Sequence, residues 1–80
     1  MSAHAFVLIN CSSGNENNVL SLIEALGNKH IVEAHVVYGL HDIITHIRGE
    51  SMEEIQEEVI QKVRLFRHVR AMMTLPVVRE

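Results

Sequence analysis

IVEAHVVYGLHDIITHIR, residues 31–48, decides the fold. Ile31 to Tyr38 is rich in β-branched residues and reads as a strand. Asp42 to Arg48 reads as the return strand, and Gly39-Leu40-His41 as a short glycine-containing turn between them. The stretch is therefore a hairpin. Its central place in a short chain leaves room for one strand and one helix on either side.

Working back from it, Ser13-Gly-Asn-Glu16 has the spacing of a capping box, in which the Ser13 hydroxyl would accept a helix N–H and Glu16 would reach back to the Ser13 N–H. Val19, Leu20, Leu22, Ile23 and Leu26 recur at three- and four-residue spacing and make one apolar stripe. Gly27 suits a left-handed residue past a helix end, so the pattern predicts a helix over about residues 14 to 26. Before it, His4 to Asn10 (HAFVLIN) is a near-continuous apolar run of strand length, suited to a central strand.

Working forward, Ser51-Met-Glu-Glu54 is a second capping box with acidic residues in the first turn. Ile55, Val59 and Val63 follow at four-residue spacing, with Met52, Ile60 and Phe66 beside them, and Lys62, Arg64 and Arg67 gather at the basic end. Glu53, Glu54, Glu57 and Glu58 read as a solvated face, with Glu58 placed to pair with Lys62. Val69 to Val78 is the last strand; Pro76 cannot donate to a ladder, so that strand lies at a sheet edge or leaves the sheet there.

The order β-α-β-β-α-β is the α+β, ferredoxin-like split pattern: a four-stranded antiparallel sheet, expected order 4-1-3-2, with both helices on one face. The other face would be bare. Yet the strands are apolar on both sides, with Val7 and Ile9 beside Phe6 and Leu8, Ile43 beside Ile44, and Met72 beside Met73. An apolar sheet face of that size marks an interface, so we expect two copies to pack sheet to sheet in a dimeric α/β barrel-like assembly.

Composition agrees with this picture. The chain has 80 residues, which allows one domain over 1–80 with a small core of its own. Cys11 is the sole cysteine, so no intrachain disulfide can supplement that core. With 48% apolar and 21% charged residues the chain reads as globular. A net charge of −3 argues against direct DNA binding, which needs a basic surface. No apolar run approaches the roughly 20 residues of a membrane span, and no signal peptide is legible, which points to the cytoplasm.

Candidates for chemistry are few. The chain has six histidines, but no C-x-x-C, H-E-x-x-H or paired Cys/His spacing accompanies them, so no metal site is expected and no cofactor is implied. They still titrate near neutrality, which allows a pH effect on assembly. Cys11 reads as a small packed side chain rather than a nucleophile. Ser12-Ser13-Gly14 lacks the G-x-x-x-x-G-K of a phosphate loop. Tyr38-Gly39-Leu40-His41-Asp42 is the segment with most promise. As a plain turn, Gly39 supplies a positive φ and Asp42 a local backbone hydrogen bond. As a binding loop, free backbone N–H groups take a carboxylate and Asp42 takes an ammonium, which together suit an α-amino acid.

Val37-Tyr38-Gly39-x-x-Asp42-Ile43, Glu50-Ser51-Met52-Glu53-Glu54-Ile55-Gln56, Lys62-Val63-Arg64 and Val69-x-x-x-x-Thr74-Leu75-Pro76-Val77-Val78 resemble the effector-binding domain of the Lrp/AsnC family, also called the RAM domain. The opening Ala5-Phe6-Val7-Leu8-Ile9-Asn10 and Gly14-x-Glu16 fit as well, so the resemblance runs over essentially the whole chain. It implies a non-catalytic module that dimerises through its sheets, assembles further into octamer-like rings, and binds small effectors, usually amino acids, between dimers. The loop matching Tyr38, Gly39, Leu40, His41 and Asp42 and the last strand around Met72 and Thr74 would contribute the site. Many members carry Thr or Ser where this chain has Met72; the lost hydroxyl favours an apolar ligand, or none. The family's regulators bind DNA through a preceding helix-turn-helix, which this sequence does not contain. The resemblance therefore implies a stand-alone relative that senses an amino acid or co-assembles with full-length Lrp/AsnC regulators. Two other readings share the topology: a small dimeric α+β barrel enzyme of the monooxygenase or haem-degrading kind, with its substrate between helices and sheet, and an assembly protein without a ligand.

Overall fold

The first strand, β1 (Ala3–Cys11), is the one on which the rest is assembled. In the computed structural model, which describes residues 2–79, it pairs antiparallel with β3 (Ile43–Gly49) on one side and β4 (Val69–Pro76) on the other. β2 (Ile31–Val36) pairs with the far side of β3. The order β2-β3-β1-β4 is the expected 4-1-3-2 read from the opposite edge. Pro76 lies at the end of an edge strand, where its missing N–H costs no ladder bond.

Strand residues alternate between the two faces. Ala5, Val7, Ile9 and Cys11 of β1 and Ile43, Thr45 and Ile47 of β3 face the helices and are buried. Val19 and Ile23 of α1 (Glu16–Glu24) and Ile55, Val59, Ile60 and Val63 of the second helix complete this core. The second helix, α2, runs over 52–64 in three pieces: an α turn Met52–Ile55, a π segment Gln56–Ile60 and an α turn Gln61–Arg64. The π segment adds a residue to the turn and brings both Val59 and Ile60 to the core, where a regular helix favours one face. Apolar spacing alone does not announce it.

Four expectations need correction. First, the Ser13 capping box does not form. The Asn15 N–H donates to the Ser12 carbonyl at 3.1 Å, Gly14 takes φ +85°, and α1 starts only at Glu16, without a side-chain cap. The helix is thus shorter than the 14 to 26 expected. Second, the Ser51 box forms by half: Ser51 Oγ accepts from the Glu54 N–H at 3.1 Å, but the Glu54 carboxylate reaches the Glu50 N–H, at 3.4 Å. Third, β2 ends at Val36 and β3 begins at Ile43, so the connection is the longer segment 37–42 and not a three-residue turn. Fourth, β4 ends not at Val78 but at Pro76, the proline at which the sequence allows it to leave the sheet. The Glu58–Lys62 pair is present on the surface, at 3.4 Å.

The face away from the helices carries Phe6 and Leu8 of β1, Ile44 and His46 of β3, Glu33 and His35 of β2, and Met73 and Leu75 of β4. Met73 and Leu75 are about half exposed there, and no described residue covers them. This is the bare apolar face expected from the sequence.

Candidate functional site

The 37–42 loop sits where β1 ends and α1 begins. Both of its ends are fastened: the Val37 N–H donates to the Asp42 carbonyl and the Asp42 N–H to the Ile9 carbonyl, each at 2.9 Å. Asn10 secures the middle. Its side-chain amide donates to the Leu40 carbonyl at 2.8 Å, and its oxygen accepts from His41 Nδ1 at 3.0 Å. Gly39 takes φ +128°, a region closed to other residues without strain. Tyr38 and Leu40 project fully into solvent. Among the described residues, nothing accepts a hydrogen bond from the backbone N–H groups of residues 38–41.

Asp42 does more than close a turn, and its side-chain partner is not local. Past the last β1–β3 pair at Ile9–Ile43, Asp42 Oδ2 accepts the Cys11 N–H at 2.8 Å; on the other flank of β1, a register shift at Asn10 and Cys11 interrupts the ladder with β4. Burial, then the nearby carboxylates of Asp42 and Glu16, push the Cys11 thiol up from its ordinary 9.0. A protonated, buried thiol is a poor nucleophile, which agrees with its reading as a packed side chain.

Tyr38 and Asp42 line an open cleft of about 350 Å³ together with Val36, Val37, Glu16 and Asn17. Glu16 and Asn17, from the first turn of α1, are the residues that sequence reasoning missed; Asn10, the loop's clamp, is another. The one available signal was an amide at the end of an otherwise apolar strand. Gly39, Leu40 and His41 lie in the same loop but outside the cleft lining. Met72 and Thr74 are not brought to it. They pair with Ile9 and Val7 on the far side of β1, and Met72 faces the core.

Between helices and sheet lies an apolar void of about 10 Å³, walled by Val7, Ile9, Ile23, Met72 and their neighbours. Thr45 also lines it, and its Oγ1 is buried without a hydrogen-bond partner among the described residues. Space of that order takes a water at most. Among the described residues, no group of three His, Cys, Asp or Glu side chains converges as a metal site, and no helix is long and apolar enough to cross a membrane.

The sequence pattern of the Lrp/AsnC ligand binding domain matches residues 4–80. The chain belongs to the Lrp/AsnC ligand-binding domain family. Solved structures agree in fold. A protein of Thermus thermophilus superposes with TM-score 0.87 at 24% identity, over 98% of this chain and 95% of that one. AsnC of E. coli gives 0.83 at 19% identity over 98% of this chain but only 52% of its own length. A transcriptional regulator of Neisseria meningitidis, solved in complex with L-Met, gives 0.80 at 11% identity over 98% of this chain and 51% of its own. A search of curated protein sequences finds no match. The Lrp/AsnC domain is a regulatory, effector-binding module, typically non-enzymatic, and domains of the family generally form dimers.

Proposed function

We propose that this Lrp/AsnC domain is an amino-acid sensor that works by self-assembly. The observation that carries this reading is the meeting of Asp42, Glu16, Asn17 and Tyr38 around one cleft, beside a loop whose N–H groups at 38–41 find no acceptor among the described residues. Asp42 spends one carboxylate oxygen on Cys11; the described residues give the other no partner. With Glu16 it makes the cleft acidic, which suits an ammonium. The exposed N–H groups of residues 38–41 suit the carboxylate of the same molecule. The L-Met bound by the meningococcal regulator supports an amino-acid effector with an apolar side chain. Met72 and Thr74 enter this reading only through a neighbouring copy, because β1 separates them from the loop of their own chain.

Assembly begins with the bare sheet face. A second copy laid against Phe6, Leu8, Ile44, Met73 and Leu75 buries apolar surface that the chain cannot cover itself. The full exposure of Tyr38 and Leu40 at the loop tip supports contact there between such dimers in a ring. Through these contacts the domain would bias the assembly of Lrp/AsnC regulators and so transcription. The barrel-enzyme reading has less support, since an interior void of about 10 Å³ holds no substrate.

A thermal-shift screen against the common amino acids tests the sensor. A ligand that binds only the native form raises the midpoint by mass action, by about 2.7 kcal/mol at a hundredfold excess over Kd. A rise with one amino-acid class, lost in a folded Glu16→Gln variant, is expected. A well-folded protein that shifts with none of them is an assembly protein and not a sensor.

A further inference from the structure

We infer that acid loosens the sheet-to-sheet dimer, through a histidine pair built into the bare face. The inference rests on the sheet-face dimer proposed above. His4 Nδ1 and His46 Nε2 lie 3.0 Å apart, a hydrogen bond between two half-buried imidazoles. Phe6 stacks on the His46 ring, with centroids 4.7 Å apart and planes inclined by 22°.

Proton counting sets the sign. The bond needs one N–H and one lone pair. It survives with both rings neutral or with one ring carrying an extra proton. With both rings protonated, two N–H groups point at each other and two positive charges repel. On the bare face, water can solvate that doubly charged pair. Under a second copy the pair would sit among Phe6, Leu8 and Leu75, where desolvation disfavours charge.

The surrounding charges give little relief. On β2, Glu33 stands opposite His46, but its carboxylate is held by His35 Nε2 at 2.7 Å. On β3, Arg48 stands opposite His4 and adds positive charge. Lys29, Glu50 and Glu54 border the open corner beyond His4, and Ser2 Oγ lies 3.4 Å from its Nε2. β4 offers only Leu75 beside Phe6. The assembled form thus holds fewer protons than the separated chains. A two-fold dimer contains two such pairs, so linkage allows Kd to rise by up to about 100-fold per pH unit where imidazole titrates.

The test is sedimentation equilibrium of the full chain from pH 8 to pH 5.5, with circular dichroism to show that the fold persists. The expected result is a Kd at least tenfold weaker at pH 5.5, flattened by His4→Gln/His46→Gln and retained in His35→Gln. Should the double variant fail to fold, His4→Gln alone removes the pair. A Kd independent of pH in the wild type, or a pH dependence that survives loss of the pair, overturns the inference and leaves the dimer standing. A Phe6→Glu variant that dimerises like the wild type, or a wild type monomeric at every pH, overturns the sheet-face dimer itself and the inference with it.

Discussion

Asp42 is read from the sequence as a turn residue or as a ligand, and the structure gives it a third task. It accepts the Cys11 N–H, which lies past the last β1–β3 pair at Ile9–Ile43 and so has no ladder partner on that flank. Asp42→Ala strands that N–H and should lower stability by about 1–3 kcal/mol. Asp42→Asn keeps an acceptor and should cost less; denaturant titration of both variants separates the two. Glu16 is therefore the cleaner probe of the cleft, which it lines without a fold-holding bond among the described residues. That Asp42 matters is legible in V-Y-G-x-x-D; its partner is not, because Cys11 lies 31 residues away. Cys11 shows the same limit. Its burial is legible from its place at the end of an apolar strand, but the carboxylates that act on it come from the loop and from α1. Its thiol is held above the ordinary value when folded. The associated stability is therefore fully present below that value and falls as pH rises through it. Iodoacetamide should label the native protein near neutral pH far more slowly than the unfolded chain, and the alkaline loss of melting temperature should be smaller in Cys11→Ala.

At the scale of elements, the junction between β3 and α2 is a tight place in the chain. A Cβ built on Gly49 would stand 3.0 Å from Glu54 Oε2 and 3.0 Å from Ile55 Cγ1. The carboxylate can swing away, but Ile55 is fully buried and cannot. Gly49→Ala should therefore push α2 off the sheet and cost about 1–3 kcal/mol, read as a lower urea midpoint with an unchanged slope. The two Ser-x-x-Glu motifs show how far local pattern carries. Ser51 caps its helix because the extended β3 delivers it straight to the first turn. Ser13 has the same spacing, but Gly14 lets the chain tighten into a turn first, and the helix begins two residues later than expected. The π segment of α2 is set by the demand of the core for both Val59 and Ile60, a tertiary requirement with no local marker.

At the scale of the whole molecule, topology was almost entirely legible. Apolar periodicity marked six elements in order, the apolar run of β1 pointed to the centre and Pro76 to an edge, and the sheet has that order. The bare face followed from the same alternation, since residues on both sides of β1 are apolar. The chemistry on that face was hidden. His4 and His46 are 42 residues apart, and only the diagonal register of β1 against β3 makes them neighbours. The cleft is half legible: V-Y-G-x-x-D marks the loop, but nothing local marks the first turn of α1 as its neighbour, because the crossover that lays α1 beside it is a property of the assembled sheet.

The central place of β1 also bears on how the chain is made. Of the four strands, β1 leaves the ribosome before the others, and its second partner, β4, after them. Until residue 76 has been synthesised, the nascent sheet keeps one flank of β1 open, with the backbone donors and acceptors of Phe6 and Leu8 ready to recruit a strand from another chain. The eight residues of β4 are thus a plug as well as a strand. A stalled or truncated product lacking them would keep two helices, a hairpin and an unsatisfied edge open to strands of other chains.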